Sequence, residues 1–286
     1  MISNLKHFAS LCLTPLALIS TTPTTAVAAA EPAAVLNIQE VPGIGLVLEA
    51  MVDGHPARFL FDTGWGVTAV TPAMAKTIGC KPWGRVTGFR AIGERLDSQR
   101  CNAATFQFKG YDVRTPEVLV VDVMKFLPPD AASVDGGIGL DLFAGHTVTI
   151  ESHAHRIVVE TDASRDSRIK TAKEVPVRLV RDAQGAALTV DLAVPTAEGD
   201  AWMELDTGNA GHTMVAAHVA KLVGLKDDVK GIQPLAIPLA SGIVVKDTAV
   251  VRDLILDGDI GRGFLDNWDL TIDLSAGKAW LAKAAV

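Results

Sequence analysis

An apolar run ending in Asp-Thr-Gly occurs twice in this 286-residue chain, at Asp62-Thr63-Gly64 and at Asp206-Thr207-Gly208. One such tripeptide would constrain little. Two in matching surroundings indicate an internal repeat, which limits the fold more than composition does. The copies lie 144 positions apart. Just downstream, Val70–Gly79 lies against Val215–Gly224, and both stretches place small and apolar residues at helical spacing before a closing glycine. A second match is offset by 122: Asp135-Gly136-Gly137-Ile138-Gly139 against Asp257-Gly258-Asp259-Ile260-Gly261. The same offset carries on to Val148-Thr149-Ile150 against Leu270-Thr271-Ile272.

These matches divide the chain into residues 31–160 and 174–286, joined by a polar, charged linker at 161–173. Within each unit the pattern reads mostly as strand. Gly45–Met51 and Ala57–Phe61 flank a turn at Asp53-Gly54-His55-Pro56, and Val175–Arg181 and Ala186–Val194 flank one at Asp182–Gly185. Each unit closes in a hairpin, Thr147–Ile150 with Arg156–Val159 and Leu270–Asp273 with Lys278–Leu281. The expected fold is all-β and bilobal, two related barrel-like lobes with short helices.

Residues 1–30 read as a signal peptide. Lys6 and His7 precede an apolar stretch from Phe8 to Ile19, and Ala26-Val27-Ala28 or Ala28-Ala29-Ala30 offers a small-residue cleavage site. The stretch is too short to span a bilayer, and Leu11 before Cys12 does not suit lipid attachment. Export to the periplasm or outside the cell is expected, with no membrane attachment after cleavage. The remaining 256 residues and an apolar content of 49% can bury a sizeable core. A net charge of -7 without a basic run argues against nucleic acid as a partner. Beyond the leader only Cys80 and Cys101 remain, and they either form a disulfide in an oxidising compartment or sit apart as buried thiols.

Two carboxyls brought face to face share one proton and can activate one water between them, because both cannot ionise cheaply at close range. Asp62 and Asp206 are the candidate catalytic pair. Gly64 and Gly208 let the backbone approach closely enough for amides to reach the carboxylates. On these motifs the chain resembles the aspartic peptidase superfamily, particularly bacterial retropepsin-like proteins, in a fused two-copy form similar to the pepsin arrangement. The resemblance implies that Thr63 and Thr207 cross-bond the two loops, that a flap lies within Val86–Gln99, and that no metal or organic cofactor is needed. It also implies an extended peptide or unfolded protein as substrate, and a monomer, since one chain supplies both half-sites. Trp65, Asn209, Phe89 and Ile92 are the candidate substrate-binding residues.

The sequence departs from the family pattern in three places. Trp65 and Asn209 stand where a Ser, Thr or Ala usually follows the Asp-Thr-Gly, and an Asn209 amide could donate to the outer carboxylate oxygen in its stead. The apolar-apolar-Gly element is only partly met, since Gly137 and Asp259 occupy its first position. The only tyrosine, Tyr111, falls beyond the flap segment. Two other roles remain for the same cleft: a catalytically inert peptide- or protein-binding module, and a precursor whose segment Glu31–Glu40 fills the cleft until removed. His153 and His155 fall in a hairpin turn and suggest solvation rather than a metal. No Gly-x-Ser-x-Gly elbow supports a serine hydrolase, and Gly43-Ile44-Gly45 lacks the third glycine of a dinucleotide site.

Overall fold

The computed structural model describes residues 30–285, so the expected signal peptide lies outside the described residues. Strands dominate, arranged as one 13-stranded and one 7-stranded sheet. The alternating burial of strands such as Gly45–Val52 places Leu46, Leu48, Ala50 and Val52 in a core that runs through both halves. Among the described residues no helix is long and apolar enough to cross a membrane.

The two halves pair their strands in the same order. In the first, His55–Phe61 leads into the Asp62 loop and runs parallel to Gly136–Ile138, which pairs antiparallel with Ala69–Val70, which in turn runs parallel to Tyr111–Val120. In the second, Gly199–Leu205 leads into the Asp206 loop and runs parallel to Gly258–Ile260, then antiparallel to Thr213–Ala216, then parallel to Val244–Arg252. Each Asp-Thr-Gly therefore sits at the end of a central strand. Asp62 N donates to Ile138 O at 3.1 Å and Asp206 N to Ile260 O at 3.0 Å. The equivalence of Gly137 and Asp259 is visible in register, opposite Leu60 and Glu204 respectively.

The halves meet through antiparallel pairing of Thr147–Glu151 with Trp268–Asp273, in which Thr149 faces Thr271. Their hydroxyls lie 2.9 Å apart, buried. Equivalent residues meeting each other is the signature of a two-fold relation, and it puts the two aspartate loops on either side of the same axis. The N-terminal strand Ala34–Val41 pairs with Arg156–Glu160 and with Gly45–Val52. This speaks against the alternative in which Glu31–Glu40 fills the cleft: from Ala34 onward its backbone hydrogen bonds are spent in the sheet.

The linker region 161–173 carries a helix, Asp162–Ile169, capped by a reciprocal Thr161–Ser164 capping box. The helix expected after Asp62 is Pro72–Thr77, with Thr71 as its N-cap. Its counterpart after Asp206 is only a 3-10 turn, Ala220–Val223, and Gly79 and Gly224 end the two with φ of 71° and 82°. The difference follows from the second copy's local sequence: Ala216-Ala217-His218 lacks the Thr-Pro start that nucleates the first helix.

Cys80 and Cys101 form a disulfide, with Cα atoms 5.7 Å apart, tying the segment after that helix to the strand Arg95–Phe108. Closing a loop of 21 residues should contribute about 3 kcal/mol through the unfolded chain. Urea unfolding with and without reductant is expected to differ by that amount. No difference would mean that the two cysteines do not constrain the unfolded chain.

Candidate active site

Asp62 and Asp206 come together where the two Asp-Thr-Gly loops meet, each half-buried. The tightness of the approach is set by the glycines. A Cβ placed on Gly64 would stand 2.5 Å from Asp206 Cγ, and one on Gly208 would overlap the Asp62 carboxyl. Each loop's glycine thus lies under the opposite loop's aspartate. Gly208→Ala is expected to push the carboxyls apart, costing about 1–3 kcal/mol of stability and about 100-fold or more in any reaction that needs the pair aligned. Urea unfolding and turnover measured on the same preparation check both.

Thr63 and Thr207 hold the loops together and are almost fully buried. Thr207 N donates to Thr63 Oγ1 at 2.9 Å, and Thr63 N donates to Thr207 Oγ1 at 3.1 Å. The Thr63 hydroxyl donates in turn to Leu205 O at 2.6 Å. The two reciprocal amide–hydroxyl bonds join residues 144 positions apart, and a threonine suits the role because a single hydroxyl accepts and donates at once.

Backbone amides face the carboxyls. Gly64 N and Trp65 N donate to Asp62 Oδ1 at 2.9 and 3.0 Å, and Gly208 N donates to Asp206 Oδ1 at 2.7 Å. Burial, followed by the neighbouring Asp206 charge, pushes the Asp62 carboxyl well above the ordinary range, and the Trp65 amide offsets only part of this. Glu204 is raised in the same way, first by burial and then by Asp206 and Asp259. Among the described residues no group of His, Cys, Asp and Glu side chains has a metal-binding arrangement.

Asn209 does not reach the catalytic carboxyls, contrary to expectation. Its Nδ2 donates to Asp259 Oδ1 at 3.0 Å and to His212 O at 3.1 Å, while its Oδ1 accepts from Gly211 N. Asp259, unlike Gly137, supplies an acceptor on the neighbouring strand, and the short amide turns toward it. Trp65 occupies the equivalent place in the first half. Its indole lies over Gly137, where a Cβ would come within 3.2 Å of Nε1, and that Nε1 is buried without a hydrogen-bond partner.

The flap is the hairpin of Trp83–Phe89 and Arg95–Phe108, closed by a turn in which Arg90 N donates to Glu94 O. Its tip crosses to the other half, where Ile255 N donates to Ala91 O at 2.9 Å. Arg90 stacks 5.4 Å from the centre of the Phe126 ring, and Phe126 meets Trp65 edge-on at 5.8 Å. Phe89 and Ile92 stay 52% and 57% exposed at the tip. Phe126, Asp259 and Glu204 were not legible as site residues. The only signal for the acids was two charges in strands otherwise built to be buried.

A family model described as aspartyl protease matches residues 48–142, from within the strand Gly45–Val52 to just past Gly139. Solved structures with similar folds include basic 7S globulin from soybean, at a TM-score of 0.55 and 10% identity, covering 88% of this chain and 94% of that one. Conglutin gamma, a basic 7S globulin from lupine seeds, and the protein named edgp give the same TM-score at 10% and 11% identity, each covering 89% of this chain and 96% of its own. No curated protein matches the sequence. The chain has a bilobal, all-β, aspartic-protease-like fold. Identities this low speak to the fold alone, and two of these three structures bear the name globulin rather than peptidase.

Proposed function

We propose that the chain is an exported aspartic endopeptidase, acting as a monomer without a cofactor on extended peptides or unfolded protein laid under the flap. The observation that carries this reading is the crossed packing of Gly64 and Gly208 under Asp206 and Asp62, with Thr63 and Thr207 locking the loops. In that arrangement a water between the carboxyls gives a proton to the ionised one as its oxygen attacks the peptide carbonyl carbon. The protonated carboxyl meanwhile donates to the carbonyl oxygen. The tetrahedral adduct then collapses: the carboxyl that took the water's proton passes it to the nitrogen, the C–N bond breaks, and a hydroxyl of the adduct returns its proton to the other carboxylate. The disulfide supports an oxidising compartment, the periplasm or outside the cell. The domain division at 161–173 is part of the same reading.

Cleavage of a mixed, unfolded peptide library from pH 3 to 7 tests it, with a statine-type transition-state inhibitor as control. Cleavage blocked by the inhibitor supports the reading, and silence from folded, leader-free protein would sink it. A second reading, an inert peptide-binding module in the same cleft, is favoured by the Trp65–Phe126–Arg90 stack and by the flap tip already bonded to Ile255. Peptide binding that persists without cleavage would select it.

A further inference from the structure

The flap hairpin is fastened to the second half at two places. At its tip, Ile255 N donates to Ala91 O at 2.9 Å, and a Cβ on Gly93 would stand 3.2 Å from Ile255 Cγ2. Further back, Val86 is buried in one apolar cluster with Ala183 and Ala187 of the second half. The Arg100 guanidinium donates to Gln184 Oε1 of the same turn at 3.0 Å. Ala183, Gln184 and Gly185 hold φ of 48°, 61° and 88°. Two successive non-glycine residues stay in the left-handed region only where their surroundings fix them, and the flap is part of those surroundings.

The base of the hairpin is held rather than hinged. The Cys80–Cys101 bridge closes it, and Trp83 pairs with Arg100 across it, the guanidinium 5.7 Å from the centre of the indole. Strand pairing shifts register between Trp83 and Val86, but Arg100 Nη1 donates across that break to Arg85 O at 3.0 Å. A lid opens by changing backbone angles at a few free residues, and these are tied.

The contact at the tip also completes a ring that contains both aspartate loops. From the tip, Arg90 stacks on Phe126, and Phe126 meets Trp65. Trp65 N donates to Asp62, and Thr63 and Thr207 join that loop to the loop of Asp206. Asp206 N donates to Ile260 O in the strand Gly258–Ile260, which follows Ile255 along the chain and so leads back to Ala91. Asp62 and Asp206 are only half-buried, so the ring leaves an opening to them. A peptide held between the flap and the two carboxyls passes through this ring. A chain with a free end can enter while every contact stays made. A loop anchored at both ends cannot enter unless one of them breaks.

We propose that the hairpin is a fixed bridge rather than a swinging lid, and that the site takes linear chains end-first. Its substrates are peptides and unfolded polypeptides with a free terminus, not loops held at both ends by folded structure. Ile255 and Gln184 determine this specificity by keeping the bridge fastened. The proposal deepens the peptidase reading and rests on it for the cleavage of those chains.

The mixed peptide library tests it when presented in two forms: on one terminus of a folded carrier domain with its far end free, and as a linker between two such domains. A broad-specificity protease that cuts both forms alike shows that the linker is accessible. Wild type is expected to cleave the free-ended form with a kcat/KM at least about tenfold higher. Cleavage of both forms at similar rates overturns the proposal. The double variant Gln184→Ala with Ile255→Pro removes the side-chain acceptor of one anchor and the amide donor of the other, and should bring the two rates together. A double variant that is folded by near-UV circular dichroism and still discriminates as wild type does would also overturn it. If no form is cleaved, the peptidase reading falls and binding to wild type decides between lid and bridge. The free-ended form should then bind more tightly, and a free-ended form that binds no better than the doubly anchored one overturns the bridge.

Discussion

Asp62→Asn and Asp206→Asn are each expected to lower kcat for peptide cleavage by about 1,000-fold or more, the scale of losing a positioned acid or base from a reaction that needs both. An amide has nearly the shape of the carboxyl it replaces, so the Gly64 and Gly208 packing and the Thr63–Thr207 bonds should survive. It can neither take a proton from water nor give one to the carbonyl. Stability should not suffer, since each substitution removes one of two carboxyls that repel when ionised and resist burial. Peptide affinity should also persist, because the flap and the Trp65–Phe126 wall are untouched. The measurement is turnover beside binding for wild type and both variants. Variants that cleave as fast as wild type would remove the pair from the mechanism. Variants that lose binding along with turnover would point to a collapsed cleft.

A second large effect concerns pH. The folded protein is expected to lose stability as pH rises from about 4 to 8. Asp141 is pushed up to about 7 by burial, despite the Thr68 amide and hydroxyl that donate to it at 2.8 Å, and Asp259 up to about 8. Both start from 3.8 in the unfolded chain, so between these values the native state binds more protons and stability falls as they are removed. Their contribution is fully present below 3.8 and gone above about 8. Asp62 and Glu204 act in the same direction. The total is on the order of several kcal/mol, since each tenfold gain in a carboxyl's proton affinity on folding corresponds to about 1.4 kcal/mol. Glu40 and Asp273 act oppositely: their carboxyls are held low, Glu40 chiefly by Arg262 and Asp273 by the Ser275 and Ala276 donors, so they lose their contribution as pH falls into the acid range. Maximum stability should therefore lie in mild acid. Urea unfolding at pH 5 and pH 8 measures the slope, and Asp141→Asn should flatten it. Stability rising between those two values would contradict the burial of these acids.

The parts legible in the sequence were those that repeat or alternate. The Asp-Thr-Gly loops at the ends of apolar strands and the closing hairpins of each half are local patterns, set by side-chain periodicity and turn chemistry along a few residues, whereas the flap within Val86–Gln99 was implied only by the family resemblance. A twice-written local pattern also implied two halves and a shared site, so Asp62 and Asp206 could be named together although 144 positions separate them.

What only the tertiary structure decided depends on which strands become neighbours. The Cys80–Cys101 bridge needed a Cα separation that no spacing supplies. Whether Glu31–Glu40 fills the cleft was open in the sequence; most of it is a strand in the sheet joining the halves, because its backbone groups find partners at Arg156–Val159 and Gly45–Leu48. Asn209 looked like a donor to the catalytic pair and instead turned to Asp259, a residue 50 positions away. Asp259 itself read as a departure from an apolar motif until the parallel pairing of Gly199–Leu205 with Gly258–Ile260 set it opposite Glu204. The chain's local chemistry determined the pair of acids. Long-range strand pairing determined what surrounds them, and a carboxyl's protonation depends on those surroundings.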